Sequence, residues 1–323
     1  MAKKIRVAVL FGGKSAEHEV SIRSAKNVVA ALDPKKYDVT EIKISKTARW
    51  IPSESFFNSV DVVFPVLHGP FGEDGTVQGL LKLADIPFVG PSVLGSAIGM
   101  DKDVQKRLLR DANIPVGDFL VATKTDPVSF ITSKKKLGLP LFIKPANMGS
   151  SVGVYKVNTK KAFDDALTNA FKFDTKVMIE EFIKGRELEC AVLGNEDPRA
   201  SVVGEIIPHH EFYSYDAKYI DDNGAGLEIP AKISKAIQKK IQTLAVQTFK
   251  TLACEGMSRV DFFLKADGEV LVNEINTIPG FTSISMYPKL WEASGIPPKK
   301  LVDTLITLAI ARFKRDAKLK TSY

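Results

Sequence analysis

The chain of 323 residues has only two cysteines, Cys190 and Cys254, far apart and with no CxxC partner. That scarcity excludes a disulfide framework and a cysteine-ligated zinc site, and leaves two reduced, buried thiols as the expectation. No apolar stretch approaches the ~20 residues needed to cross a bilayer. The opening MAKKIRVAVLFGG runs straight into a strand-like segment with no cleavable apolar region, so a cytoplasmic location is expected. Internal repeats and low-complexity segments are also missing. The charge balance is basic, 45 Lys and Arg against 38 Asp and Glu, net +7. Much of that excess lies in Lys134-Lys135-Lys136 and in the tail from Arg312 to Lys320, where no aromatics are interleaved. Nucleic-acid and membrane partners are therefore not expected; the excess reads as solvated surface plus a pocket for an anionic ligand.

What is present is the length and composition of a soluble protein of two or three domains. The first hundred residues alternate strand-like and helical segments: Ile5 to Phe11, Ser21 to Leu32, Val60 to Leu67, Gly75 to Ala84 and Pro87 to Gly90. This rhythm predicts a small parallel α/β domain of Rossmann type over residues 1–99, closed by a Gly-rich break from Gly90 to Gly99. A helix from Lys102 to Ala112 opens a second region, 100–187, with strands at Leu141 to Lys144, Val152 to Lys156 and Val177 to Glu180 around a helix from Lys160 to Phe171, an α+β lobe. The third, 188–323, contains the clearest helix. Ile233, Ile237, Ile241, Leu244, Thr248 and Leu252 recur every three or four residues, one core-facing stripe.

The strongest chemical signal is a pair of strands, Ser258 to Leu264 and Glu269 to Thr277, joined through Asp267-Gly268, a common hairpin dipeptide. A turn centred there sets Asp261 opposite Glu274 and Arg259 opposite Asn276, and the two-residue pleat period puts all four on one face. Facing carboxylates repel, and a folding sequence keeps them where a cation sits between. An all-oxygen set of Asp261, Glu274 and Asn276 suits Mg²⁺ better than zinc. A solvated hairpin face is the bland alternative.

Four further segments are rich in polar groups. Phe142-Ile143-Lys144-Pro145-Ala146-Asn147-Met148-Gly149-Ser150-Ser151-Val152-Gly153 follows a strand. It fits neither GxxxxGK[ST] nor GxGxxG, yet its amides can cup a phosphate with Lys144 as a point charge; a plain surface hairpin explains it equally. GGKSAEHEVS, Gly12 to Ser21, lies at the end of the first strand, where open α/β sheets bind ligands, and its Glu17 can hold an ammonium group. HGPFGEDGT, from His68, lies at the same end of a later strand; His68 is either a ligand contact or structural. The run Phe212 to Tyr219, leading through Asp221 to Gly226, reads as a lid. Asn276 to Met286 extends the carboxylate strand with Pro-Gly and hydroxyl residues, where a carboxylate substrate can dock.

In order, GGKSAEHEVS, HGPFGEDGT, KPANMGSSVG, Tyr215-Asp216-Ala217-Lys218-Tyr219, Arg259-Val260-Asp261 and NEINTIPGFTSIS resemble a bacterial D-alanine-D-alanine ligase of the ATP-grasp superfamily, from about Ile5 to Ala311. The resemblance implies an ATP-grasp fold, α/β and α+β, with an N-terminal Rossmann-like domain. It implies ATP with Mg²⁺ or Mn²⁺, two ions, and D-alanine as the small-molecule substrate of a homodimer. It places Lys102, Lys144, Ser151 and Lys218 around the phosphates, and Glu180, Glu181, Ile183 and Glu187 at base and ribose. The residues themselves say less of Glu180, whose strand is equally a solvated edge. Asp261, Glu274 and Asn276 would carry the metal. Arg259 and the Gly280 amide would hold an oxyanion. Glu17 would meet the first ammonium, Ser285 and the Met286 amide the second carboxylate, and Glu17, Ser150 and Tyr219 would form a hydrogen-bonded triad under the lid. The implied reaction is phosphoryl transfer to the first D-alanine carboxylate, then attack by the second amine. Related ligases for D-lactate or D-serine, and a non-catalytic ATP-binding protein, are the alternatives; Tyr219 speaks against the lactate reading and the complete metal set against the non-catalytic one.

Overall fold

The computed structural model describes residues 3–47, 50, 52–208, 225–320 and 322. In the N-terminal region β1 (Ile5–Gly12), α1 (His18–Ala31), β2 (Tyr37–Ile44), α2 (Glu54–Ser59), β3 (Val62–Pro65), α3 (Thr76–Leu83) and α4 (Val93–Met100) follow one another. The sheet is parallel, in the order β2-β1-β3. Its central strand is buried from Val7 to Phe11, the continuous apolar run that a strand covered on both faces needs. Edge strand β2 was not anticipated, because its exposed residues interrupt the apolar pattern. Pro87 to Gly90 contributes only an isolated bridge, Val63 to Phe88, and is not a strand. The expected break at Gly90 to Gly99 is instead largely helix α4. Two of its glycines serve close packing: a Cβ on Gly95 would sit 2.4 Å from the Ala253 carbonyl oxygen, and one on Gly99 2.3 Å from Thr277 Cγ2.

The middle of the chain holds α5 (Lys102–Asp111), β4 (Phe119–Thr123), α6 (Phe130–Leu137), β5 (Leu141–Pro145), β6 (Tyr155–Val157), α7 (Lys160–Ala170) and β7 (Lys176–Glu181). Its antiparallel sheet runs β4-β7-β5-β6. The strand expected from Val152 is confined to Tyr155–Val157, since the residues before it belong to the small-residue loop. Then come β8 (Gly185–Gly194), β9 (Arg199–Pro208), β10 (Ala225–Glu228), α8 (Lys235–Thr251), β11 (Gly256–Lys265), β12 (Val270–Asn276), α9 (Met286–Ala293) and α10 (Pro298–Asp316). Five strands pair as β10-β9-β8-β11-β12. Helix α8 is the predicted stripe: Ile241, Leu244 and Thr248 are buried in it, and Ser234 caps it by accepting from the Ile237 amide. Its apolar face covers one side of the sheet, against Val260, Phe262 and Ile275.

Helices α9 and α10 fill the space between this sheet and the N-terminal one. A single cluster joins Val9, Phe64 and Val28 to Leu193, Met257, Trp291, Leu305 and Ile306. Arg312, buried on α10, donates to the Phe88 and Gly90 carbonyls, the latter a short contact. Burying a guanidinium is tolerable here because both donors find acceptors. Cys190 and Cys254 are free and buried, as expected. Among the described residues no helix is long and apolar enough to cross a membrane.

The hairpin reaches its expected pairing by another route. The Lys265 amide donates to Glu269 O (2.9 Å) and the Gly268 amide to Lys265 O (3.0 Å), so Ala266, Asp267 and Gly268 form a three-residue loop. Near the turn the ladder is therefore one residue out, with Leu264 opposite Val270 and Phe262 opposite Val272. A bulge at Asn273 restores the count, and beyond it Asp261 faces Glu274 and Arg259 faces Asn276. The two departures cancel.

Removing one of the joining side chains tests this packing. Leu305→Ala should cost about 2 to 5 kcal/mol, the usual price of a buried leucine truncation. A urea midpoint within error of the parent would show that α10 does not close the core.

Candidate active site

Two adjoining cavities gather every described residue proposed above for the site. Glu17, His68, Arg259, Asp261, Asn276, Gly280, Ser285 and Met286 line the first. Lys102, Lys144, Ser151, Glu180, Glu181 and Ile183 line the second. Ser150, Glu187 and Glu274 lie on both, so the two spaces share a wall made of the small-residue loop and the carboxylate hairpin. Lys218, Tyr219 and the rest of the expected lid lie outside the described residues.

The hairpin face positions the acids. Val260, Phe262 and Ile275 point into the core, so pleating turns Arg259, Asp261, Glu274 and Asn276 the other way, half-buried. Arg259 grips Asp261 with two bonds, Nε to Oδ1 and Nη2 to Oδ2, both 2.7 Å, and its Nε also lies 2.8 Å from Glu189 on β8. The Asn276 amide nitrogen donates to Asp261 at 3.0 Å, leaving its amide oxygen as an acceptor. Lys102 Nζ stands 3.5 Å from Glu274. No cluster of three or more His, Cys, Asp or Glu able to hold a metal exists among the described residues. Two carboxylates and an amide oxygen are the donor set of a hard cation that takes its remaining ligands from phosphate and water, and in that sense the residues fit Mg²⁺ or Mn²⁺.

The loop between the cavities is held from several sides. The Asn147 amide donates to Asp174 (2.7 Å), and Lys102 Nζ donates to the Met148 carbonyl (2.7 Å). Ser150 and Ser151 are both left-handed, at φ +53° and +59°, a conformation that non-glycine residues adopt only where the surroundings impose it. Here it lets the Ser150 hydroxyl donate a short bond to Glu17, bringing together two members of the expected triad. On the basic side the Glu180 carboxylate lies between two ammonium groups, 2.6 Å from Lys106 and 2.6 Å from Lys144. Burial acts to raise its pKa, but the two lysines outweigh that and bring it down to about 2. Its side chain is thus committed within the protein. One Glu181 oxygen is likewise taken, by the Asp118 amide at 2.7 Å.

On the far side of the first cavity, Gly280 sits where a Cβ would lie 2.8 Å from Ser285 Oγ. Ser285 Oγ in turn accepts from the Thr282 amide (2.9 Å). His68 is buried, with Nδ1 3.1 Å from the Ile278 carbonyl. A carbonyl only accepts, so Nδ1 carries the proton. Burial lowers the pKa against the opposing pull of Glu17, which leaves a neutral ring whose Nε2 lone pair has no partner among the described residues.

A family model described as D-ala D-ala ligase C-terminus matches residues 108–307, and its companion, D-ala D-ala ligase N-terminus, matches 6–59 and 52–91. The chain belongs to the D-alanine-D-alanine ligase family. A D-alanine–D-alanine ligase of Shouchella clausii is 51% identical over 100% of this chain and 99% of its own. D-alanine–D-alanine ligase A of Escherichia coli K12 is 48% identical over 99% and 100%. Among solved structures, a D-alanine-D-alanine ligase from Coxiella burnetii superposes with a TM-score of 0.88 at 41% identity, covering 98% of this chain and 97% of that one. A D-Ala:D-Ser ligase from Enterococcus faecalis gives 0.87 at 37%, covering 95% and 100%. The ATP-grasp fold with its Rossmann-like N-terminal sheet follows.

Three residues of this ligase-family site were not anticipated: Lys106, Glu189 and Glu73. Glu73 lies in the HGPFGEDGT loop, where its carboxyl accepts from the Gly69 amide (2.6 Å) and the Ile278 amide (3.2 Å), tying that loop to the Asn276–Met286 segment. Burial, and then the charge of Glu17, push its pKa up to about 8. The folded protein holds this proton more tightly than the unfolded chain. Its contribution to stability is therefore full below about pH 4.5 and is lost as pH rises toward 8. Glu73→Gln should flatten that dependence, narrowing the slope of ligand-free stability by up to about 1.4 kcal/mol per pH unit, whatever constant cost the lost acceptor adds. Parallel stability curves for parent and variant between pH 5 and 8 would contradict the neutral carboxyl.

Proposed function

We propose that this protein joins two D-alanine molecules into D-alanyl-D-alanine at the expense of ATP, forming ADP and phosphate, as a step in building the peptidoglycan cell wall. One observation carries the reading: a lysine-lined cavity and a cavity of acids, His68 and hydroxyls meet at one wall made of Glu274 and the Gly149–Ser150 loop. Phosphoryl transfer between a nucleotide and a small zwitterion needs that juxtaposition.

In this reading Lys102, Lys144, Ser151 and Lys218 hold the phosphates, and Glu180, Glu181, Ile183 and Glu187 surround base and ribose. Because the Glu180 carboxylate is bound by two lysines, its strand backbone is the part left for the base. Asp261, Glu274 and Asn276 would hold two Mg²⁺ or Mn²⁺ ions, which supply charge neutralisation at the phosphates. Glu17 receives the ammonium of the first D-alanine, whose carboxylate takes the γ-phosphoryl group to give an acyl phosphate. Ser285 and the Met286 amide receive the carboxylate of the second. Its ammonium must lose a proton before attack, and the unpartnered Nε2 of neutral His68 is a suitable acceptor. Arg259 and the Gly280 amide stabilise the tetrahedral oxyanion, after which phosphate leaves. Glu17, Ser150 and Tyr219 dock the lid. The division into regions 1–99, 100–187 and 188–323, the cytoplasmic location and the homodimer belong to the same proposal.

Coupled measurement of ADP release tests it. D-alanine should support turnover and L-alanine should not, with D-alanyl-D-alanine as the product; ADP release independent of D-alanine, or product formed only with D-serine or D-lactate, would overturn it. Glu274→Gln keeps the shape but removes one of the facing charges. Metal-dependent ADP formation should be lost with the fold intact. Near-normal turnover at ordinary magnesium would remove the hairpin face from the reaction.

A further inference from the structure

Lys106 has no task in the reaction as written, yet it lines the lysine cavity. It is 2% exposed, one of the largest fully buried side chains in the protein. Its ammonium lies 2.6 Å from Glu180 Oε1, while Lys144 lies 2.6 Å from Oε2. A single lysine would already neutralise Glu180, and burying a second ammonium is costly. The extra charge has an electrostatic consequence. Two ammonium groups on one carboxylate leave a net positive unit facing the cavity, whereas one leaves a closed, neutral pair.

We propose that Lys106 is a positioning residue for nucleotide phosphates: by supplying the charge that neutralises Glu180 it keeps Lys144 from closing into a neutral pair, so that Lys144 presents charge to a nucleoside di- or triphosphate. This rests on reading the second cavity as the nucleotide site. Geometry supports the division of labour. Lys144 is the last residue but one of β5, just before the small-residue loop, while Lys106 reaches Glu180 from α5 with its ammonium 5.7 Å from the centre of the Phe119 ring. Burial lowers the pKa of Lys106; it lowers that of Lys144 too, but Glu180 and Glu274 outweigh it there and leave Lys144 raised. The better-supported charge therefore belongs to the lysine beside the loop.

The test compares ADP with adenosine, which keeps base and ribose but lacks phosphates, by calorimetry on the full chain in magnesium buffer. Lys106→Met should weaken ADP binding about tenfold, the scale of one charge-assisted contact, and leave adenosine binding unchanged. In turnover it should raise KM for ATP more than it lowers kcat. If Lys106→Met does not fold, as read by thermal melting, Lys106→Gln makes the same comparison, since it can donate to Glu180 without carrying charge. Unchanged ADP affinity, or an equal loss for ADP and adenosine, would assign Lys106 to packing alone. Parent protein that binds neither ADP nor adenosine would overturn the nucleotide reading, and with it this inference.

Discussion

Across the β11–β12 ladder Asp261 faces Glu274, and like charges directly opposite each other destabilise a sheet unless cations stand close by. The chain cannot escape the conflict by slipping β12 one residue along β11, because the slip would turn Glu274 into the cluster that holds Val260, Phe262 and Ile275. Cations are supplied instead. Arg259 takes Asp261 with both arms and reaches Glu189, and Lys102 approaches Glu274 from the start of α5. Arg259 belongs to the hairpin itself and Lys102 to the first turn of α5, so the charge balance of the hairpin also ties it to α5 and, through Glu189, to β8. A metal ion bound to nucleotide phosphates would add to the same compensation.

Charge is distributed unequally on the two sides of this wall. Lys102, Lys106, Lys144 and Lys184 line the second cavity along with Asp118, Glu180, Glu181, Glu187 and Glu274, so the ammonium groups a polyphosphate needs are gathered there, whereas Arg259 is the single Lys or Arg on the first among the described residues. In the first cavity burial, and then the charge of Glu17, raise the cost of ionising Glu73, which keeps its proton. A neutral Glu73 accepts two backbone amides without adding negative charge to this cavity. The His68 ring, neutral for reasons of burial, adds no competing positive charge. A space with four lysines beside one dominated by carboxylates suits a nucleotide in the former and an amino acid in the latter.

Much of this was legible in the residues. The facing of Asp261 and Glu274 could be read from Asp267-Gly268 and the apolar alternation, although a three-residue loop and a bulge at Asn273 replaced the expected two-residue turn. The bulge carries no strong local signal, since Asn273 resembles any polar residue in a half-buried strand. Glycine misled at α4. Gly95 and Gly99 look like helix breakers, but the reason for them, contact with Ala253 and Thr277, lies far along the chain. Glu73 and Lys106 escaped for a related reason. Each sits among other charged residues, in GPFGEDGT and in DKDVQKR, and only folding shows that one is enclosed near Glu17 and the other paired with Glu180. Local pattern carries periodicity and turn chemistry; the enclosure of a charge is a long-range property.

The Asn147–Gly153 loop connects the two halves of the chemistry. Small residues are needed there on both sides: a Cβ on Gly149 would stand 3.1 Å from Glu17 Oε2, and one on Gly153 3.0 Å from Phe173 and Pro145 side-chain atoms. Small size alone would leave the loop many conformations, and its order comes from its anchors. Asp174 holds the Asn147 amide, Lys102 holds the Met148 carbonyl, and Glu17 accepts from the Ser150 hydroxyl. The left-handed strain at Ser150 and Ser151 is offset by those bonds, two of which use groups that also line a cavity. Lys102 and Glu17 therefore both hold the loop and line a cavity. A nucleotide that draws Lys102 toward its phosphates competes with Met148, and an ammonium that draws Glu17 competes with Ser150. In the proposed site, occupancy of either cavity would therefore alter the restraint on the same seven residues.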